Sequence, residues 1–302
     1  MSVPEPDGAG VSFVTCTRNR SEMARAKAEW ALADKHCREA VFVVDGTSDD
    51  TVERLAELAR VDPRLRVIAL KDNVGVPSAR NIGVRAATSE WLVLIDDDDL
   101  VSDGFVEAVL RVARESGAAV VGTPWFNVTA GQDLDEYIAA VPRRPGGPQL
   151  DQPGCFPAQP WEDCLWSAAN GLFRRDIFDE LGYDPGYRVN FYREESDLMV
   201  TVARSGRRVV ITSQAYTYLR ERNSGGIERR NKLRYEYWVL RNNWRFLRKH
   251  GAWLRAKGHI ARGPVAEQTG LAVRRLRPLA RAAVRRLTGG RIAGATVTRE
   301  SR

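Results

Sequence analysis

Cysteine, histidine and long apolar runs are all scarce in this chain. The four cysteines among 302 residues, Cys16, Cys37, Cys155 and Cys164, show neither Cys-x-x-Cys spacing nor a histidine at zinc distance. That argues against a zinc site or a redox dithiol and leaves free thiols as the expectation. His36, His250 and His259 are the only histidines, and each reads as a surface or packing residue. No run reaches 18 apolar residues, no Gly-x-Gly-x-x-Gly follows the first strand, and no Gly-x-x-x-x-Gly-Lys-Ser/Thr occurs. Membrane-spanning, dinucleotide and P-loop readings each lose their main signal. The opening "MSVPEPDGAG" has neither a basic nor an apolar leader region, so the expectation is a cytoplasmic protein with residues 1–10 disordered.

The composition that remains, 43% hydrophobic and 28% charged, suits one large domain or one domain with an appendage. The net charge of +7 hides an asymmetry, because residues 251–302 hold twelve Arg and Lys against two Glu. Residues 1–250 are therefore slightly acidic, and a nucleic-acid partner lacks the basic face on the folded body that it would need.

Strand and helix patterns alternate four times in the first hundred residues. "VSFVT" (11–15), "AVFVV" (40–44), "LRVIAL" (65–70) and "WLVLI" (91–95) read as strands. Between and after them lie helical patterns, with Ser21 as a cap, Leu55 and Leu58 on one face, Pro77 in a first turn, and a start near Ser102. This predicts an α/β fold with a mainly parallel central sheet covered by helices on both faces. Ligands of such sheets sit at the carboxyl ends of the strands, and the polar clusters 15–19, 45–49 and 96–99 fall there. Residues 141–160, rich in Pro and Gly, read as a mobile loop. Leu233, Tyr237, Leu240, Trp244 and Leu247 form a helical apolar stripe.

Four consecutive aspartates, Asp96 to Asp99, follow an apolar strand. Such a run needs water, a cation or a basic partner to screen it. Asp-x-Asp at a strand end can present two carboxylates to one hard cation, Mg²⁺ or Mn²⁺, that completes its shell with water and phosphate oxygens. A solvated turn is the competing reading of the run taken alone.

The segments "VSFVTCTRNR", "VVDGTSDDT", "NVGVPSARNIG", "LIDDDD" and "REESDL" occur in that order. In this the chain resembles the glycosyltransferase family 2 enzymes, over about residues 11–250. The resemblance implies the GT-A fold, a Rossmann-like nucleotide-diphospho-sugar transferase fold, and inverting transfer from a nucleotide diphosphate sugar donor to a glycan or lipid-linked acceptor in cell-envelope polysaccharide synthesis. It implies Asp96 and Asp98 as metal ligands, and Thr17, Asn19, Arg20, Asp45, Gly46, Asn73, Arg80, Asn81 and Asp97 around the nucleotide sugar. Glu195 stands where the family places a catalytic aspartate, with Glu194 and Asp197 as competing candidates for the base. The chain departs from the family pattern in lacking a second aspartate after Asp45, in having Thr201 for an arginine, and in having no histidine near "YTYLRERNS".

Domain boundaries expected on this footing are 11–250 for the transferase, divided at 120 into nucleotide-sugar and acceptor halves, and 251–302 for a basic amphipathic helical tail. Trp125, Trp161 and Trp166 are either sugar-stacking or core residues. In the tail, Val273, Leu276, Ala280, Ala283, Val284 and Leu287 oppose Arg274, Arg275, Arg277, Arg281 and Arg285 on a helix that Pro278 should kink. Such a helix can lie on an anionic membrane surface, which would make the protein peripheral on the inner face. A sugar-1-phosphate nucleotidyltransferase and a non-catalytic glycan-binding or scaffolding relative remain as alternatives.

Overall fold

The computed structural model describes residues 10–149, 154–168, 170–220 and 231–287, the side chains of 282–287 excepted. The expected disorder of residues 1–10 falls almost wholly outside them. The chain divides into two units, residues 1–229 and 230–302.

The first unit opens with β1 (Val11–Thr17), α1 (Ser21–Ala33), β2 (Cys37–Asp45), α2 (Thr51–Val61), β3 (Leu65–Leu70), α3 (Val76–Ala86) and β4 (Trp91–Leu94). It continues with β5 (Leu100–Val101), α4 (Phe105–Ser116), β6 (Val120–Gly122), β7 (Trp125–Asn127), α5 (Leu134–Ala140), β8 (Arg143–Arg144), β9 (Phe156–Pro157) and β10 (Trp161–Asp163). β11 (Gly171–Arg174), α6 (Ile177–Glu180), α7 (Glu194–Arg204), β12 (Val209–Thr212) and β13 (Thr217–Leu219) complete it.

Eight of these strands form one sheet in the order β10-β12-β6-β11-β4-β1-β2-β3. β1 pairs parallel with β2 and β4, β2 with β3, and β6 with β12. β11 runs antiparallel between β4 and β6, and β10 is antiparallel at the edge. The expected α/β class and mainly parallel sheet are what the structure shows. β2 is buried at every residue but Arg38, as a strand covered on both faces must be, and so its apolar residues run on without alternation. Phe13, Phe42, Val93, Leu172 and Val210 belong to the core cluster, which Trp30 closes edge-on against Phe13 at 5.3 Å. Gly83 lets α3 approach the sheet, since a Cβ there would meet Val14 at 2.6 Å.

Local expectations changed in three places. Ser21 is the first helical residue and not a cap, and Arg20 occupies the cap position without a side-chain bond. α4 starts at Phe105, not near Ser102, because Gly104 takes a left-handed turn and residues 100–101 pair as a strand. The loop 141–160 carries a two-residue pairing of β8 with β9.

The second unit is an antiparallel hairpin of α8 (Lys232–Ala256) and α9 (Pro264–Leu287). Its start at 230 differs from the expected boundary at 250, which lies inside the continuous α8. α9 runs through Pro278 as helix. The helix carrying the stripe is present, but the stripe is mostly on its outer side, with Leu233 69% and Tyr237 55% exposed, and the buried row is Glu236, Val239, Asn243, Phe246, His250 and Leu254. Leu247 alone of the stripe is buried. Hydrophobic spacing located a real amphipathic face but not which face packs, because polar Glu236 and Asn243 pair with Arg275 and Gln268 of α9. In the tail stripe, Val273, Leu276 and Ala280 are exposed, and Ala283, Val284, Arg285 and Leu287 lie outside the described side chains.

Candidate active site

The carboxyl ends of β1, β2 and β4 and the start of α7 supply the charged groups of one cluster. After Leu94 the chain leaves the sheet, and each aspartate of the run finds a different partner. Arg80 on α3 donates from Nη2 to Asp96 Oδ1 at 2.6 Å and from Nη1 to Glu194 Oε1 at 2.6 Å, with Glu195 at 3.8 Å. Thr17 Oγ1 and Arg20 Nη1 both donate to Asp97 at 2.6 Å, and Arg20 also pairs with Asp98 at 2.8 Å. Asp99 accepts from Trp125 Nε1 at 2.7 Å and from Asn170 Nδ2, while the buried Lys27 ammonium reaches its carbonyl oxygen.

These pairings answer the repulsion within the run. Burial raises the Asp97 carboxyl to about 6, against the pull of Arg20, and raises Asp98 as well. Burial and the neighbouring Asp96 push Asp99 up to about 8. Glu194 is pushed up to about 8 by burial, although Arg80 opposes it. Burial works against the Arg80 charge too, but Asp96 and Glu194 outweigh it and hold the guanidinium well above its ordinary value.

Ligand atoms of Asp96, Asp98 and Asp99 lie within 4.8 Å of one another. Asp99 already gives both oxygens to Trp125 and Asn170, which makes it a support for the run. Asp96 and Asp98 each give one oxygen to an arginine and remain 36% and 23% exposed. Two accessible carboxylates with oxygen donors fit a hard cation that keeps water and phosphate in its shell.

Other expected nucleotide residues build the floor. Asp45 accepts from the backbone of Val74 and Gly75 at 2.7 and 2.9 Å. Asn19, at φ 53°, accepts from Thr47 and from the Ser48 amide. Asn81 spends its amide on both backbone groups of Tyr183, at 2.7 and 2.9 Å, so it ties α3 to the loop after α6. Asn73 offers its backbone to a close approach. Gly46 (φ 62°) lets Asn73 pack close, since a Cβ there would strike Asn73 N at 2.4 Å. Gly46→Ala is expected to lower stability by about 1–3 kcal/mol through a left-handed backbone and this clash, read as a fall in Tm.

Among the three candidate bases only Glu195 is accessible, at 35% exposure. Asp197 is fully buried and takes a hydrogen bond from Tyr187 at 3.0 Å. Glu194 is buried beside Arg80, whose guanidinium lies 5.3 Å from the centroid of the Tyr183 ring. The entry to α7 is strained, with Val189, Phe191 and Arg193 at positive φ, and the Phe191 ring packs over Gly75. Sequence reading missed this segment, for which nothing in "RVNFYR" signals left-handed backbone. It also missed Lys27 and Asn170.

A cleft of about 690 Å³ flanks the other side of the run, lined by Lys27, Trp30, Asp97, Asp98, Phe105 and Tyr218 among others, a size that takes a small ligand. Trp125 is pinned at its nitrogen and 37% exposed, while Trp161 packs against the core cluster and near Arg208.

Residues 12–182 match the family model "Glycosyl transferase family 2". The chain is 36% identical over 110 residues to the succinoglycan biosynthesis protein ExoO of Rhizobium meliloti (strain 1021), covering 36% of this chain and 31% of that protein. It is 27% identical over 192 residues to the uncharacterized glycosyltransferase EpsJ of Bacillus subtilis (strain 168), covering 62% and 54%. It is 25% identical over 205 residues to the glycosyltransferase GlyG of Streptococcus pneumoniae serotype 4, covering 63% of each. The chain thus spans less than two thirds of these relatives. Among solved structures, GalNAc-T7 with UDP, GalNAc and Mn²⁺ superposes with a TM-score of 0.56 at 16% identity, covering 72% of this chain and 44% of that one. S. aureus TarS 1-349 superposes at 0.52 and 18% identity, covering 82% and 74%. Both likenesses are of fold.

Proposed function

The chain belongs to glycosyltransferase family 2, and from that membership we propose that it moves one sugar, with inversion, from a nucleotide diphosphate sugar to a hydroxyl of a glycan or lipid-linked acceptor. The observation that carries the reading is the Arg80 bridge, in which one guanidinium holds Asp96 of the run and Glu194 of α7 at 2.6 Å each. Groups suited to a leaving diphosphate and a group suited to an attacking hydroxyl thereby face one place.

Asp96 and Asp98 would hold Mg²⁺ or Mn²⁺, which when bound neutralises charge on the departing diphosphate. Thr17 and Arg20 fix Asp97, and Arg20 orients Asp98. Asp45 holds the 74–75 backbone against the end of β2, where it would border the nucleotide. Glu195 takes the proton of the acceptor hydroxyl as its oxygen bonds to the anomeric carbon, and the electron pair of the breaking bond leaves with the diphosphate. Glu194 keeps Arg80 in register with both sides. The UDP and Mn²⁺ of the GalNAc-T7 structure support the donor and cation classes, and the name of ExoO supports a polysaccharide product. Among the described residues no helix is long and apolar enough to cross a membrane.

Melting the protein with UDP-, GDP- and dTDP-sugars, with and without Mn²⁺ or Mg²⁺, tests the proposal. One nucleotide class at a hundred times its Kd should stabilise by about 2.7 kcal/mol, and only with the cation. Asp98→Asn should lose that gain. Stabilisation that survives in the variant would remove Asp98 from cation binding, and no gain with any sugar nucleotide would sink the donor reading.

A further inference from the structure

The second unit carries its charge and its apolar surface in an arrangement that the first does not share. Residues 230–302 hold nineteen Arg and Lys against three Glu, a net of +16, and residues 1–229 balance to −9. The same unit exposes Leu233, Tyr237 and Trp244 on α8 and Val265, Val273 and Leu276 on α9. Leu233, Tyr237, Leu240 and Trp244 recur at four- and three-residue steps and so line one side of α8. Arg234, Arg241, Arg245 and Arg248 flank that row on its solvent side, all exposed. Arg241 Nη1 donates to Tyr237 Oη at 3.1 Å and stacks on Trp238 at 5.2 Å, interleaving cation and ring.

The two helices share this face. Their contacts pair Glu236 with Arg275, the Leu240 carbonyl with Gln268, and Gly251 with Pro264, an antiparallel register. At about 100° per residue, the α8 row lies to one side of its contact line, and Val265, Val273 and Leu276 lie to the same angular side of theirs. In an antiparallel pair, equal angular sense puts both sets on one surface. Arg277, on the side of α9 turned away from α8, is exposed.

We propose that this α8–α9 surface docks on an anionic lipid bilayer, lying in the headgroup layer with its aromatic and aliphatic row inserted and its arginines on lipid phosphates. Rows of leucine and tryptophan bordered by arginine are what an interfacial helix presents to lipid. A second copy is a poor occupant, because two units that each carry a net +16 repel. Nucleic acid would use the arginines and leave the leucine and valine row wet. Neither helix is apolar enough to span, so the unit lies on the bilayer. The inference rests on the second unit alone and is independent of the transfer reaction.

Co-sedimentation of the full chain with phosphatidylcholine vesicles, with and without phosphatidylglycerol, at low and high salt, tests it. The full chain should partition onto the phosphatidylglycerol vesicles and retain part of that binding at high salt. Leu233→Ser/Tyr237→Ser/Trp244→Ser should weaken partition roughly tenfold or more, measured below the variant's own Tm and with its helical circular-dichroism signal retained. Arg234→Glu/Arg241→Glu/Arg245→Glu should abolish the preference for phosphatidylglycerol. No partition by the full chain, or equal partition by the serine variant, overturns the proposal. Binding lost entirely to added RNA would assign the face to nucleic acid instead.

Discussion

Glu195→Gln is expected to lower kcat by roughly 10²–10⁴-fold while leaving donor affinity unchanged. The reason is position. Glu195 is the accessible carboxylate at the α7 N-terminus, 3.8 Å from Arg80, whereas Glu194 is buried against Arg80 and Asp197 is enclosed with Tyr187. Glutamine keeps the size of the side chain and removes the proton acceptor, so binding and folding should survive and transfer should not. Single-turnover transfer, measured beside donor binding, separates the two. Glu194→Gln makes the contrast, because it breaks the Arg80 ion pair and should change Tm as well as rate. Near-normal turnover in Glu195→Gln, with turnover lost but Tm held in Glu194→Gln, would move the base to Glu194.

The alternation of strand and helix in residues 11–116 was legible because the strands are short, mainly apolar and β-branched segments, and β2 and β4 end in polar clusters. β3 matches its expected bounds at both ends, and Asp45 and Asp96 fall just where the strands end. Which carboxylates remain accessible was not legible. Asp99 looks like Asp98 in sequence, yet Trp125 and Asn170, 26 and 71 residues away, occupy its oxygens. Asn81 sits in a stretch suggestive of nucleotide contact and instead closes on the Tyr183 backbone, 102 residues away. Such pairings belong to the sheet order, in which β11 inserts antiparallel beside β4 and brings Asn170 to the run. The packed face of α8 was not legible for a related reason, since periodicity finds an apolar face but tertiary packing chooses which face to bury.

Arg80→Gln is expected to lower stability by about 3–5 kcal/mol above pH 8, the usual result of removing one member of a buried ion pair. Arg80 and Glu194 are 7% and 5% exposed, so without Arg80 the Glu194 carboxyl has neither water nor a counter-charge and, once the pH passes its raised folded value, sits buried as an unpaired charge. Asp96, one-third exposed, can recover solvent and contributes less. The pH dependence gives the mechanism a sign. Burial already raises Glu194 to about 8, well above its unfolded range, and loss of Arg80 raises it further. A carboxyl with a raised folded pKa binds its proton more tightly folded than unfolded, so stability falls as pH climbs toward the folded value. The variant should therefore lie closest to the native protein near pH 5 and fall furthest behind above pH 8. Arg80→Gln/Glu194→Gln should recover much of the loss and flatten the profile, because two neutral amides of similar size replace the pair. Urea unfolding of the native protein, Arg80→Gln, Glu194→Gln and the double variant across this pH range is the measurement. If the double variant is no more stable than Arg80→Gln, or if the Arg80→Gln deficit is the same at both ends of the range, an unpaired Glu194 is not what destabilises it. In that case the loss belongs to the guanidinium's packing on Tyr183 and its hold on Asp96.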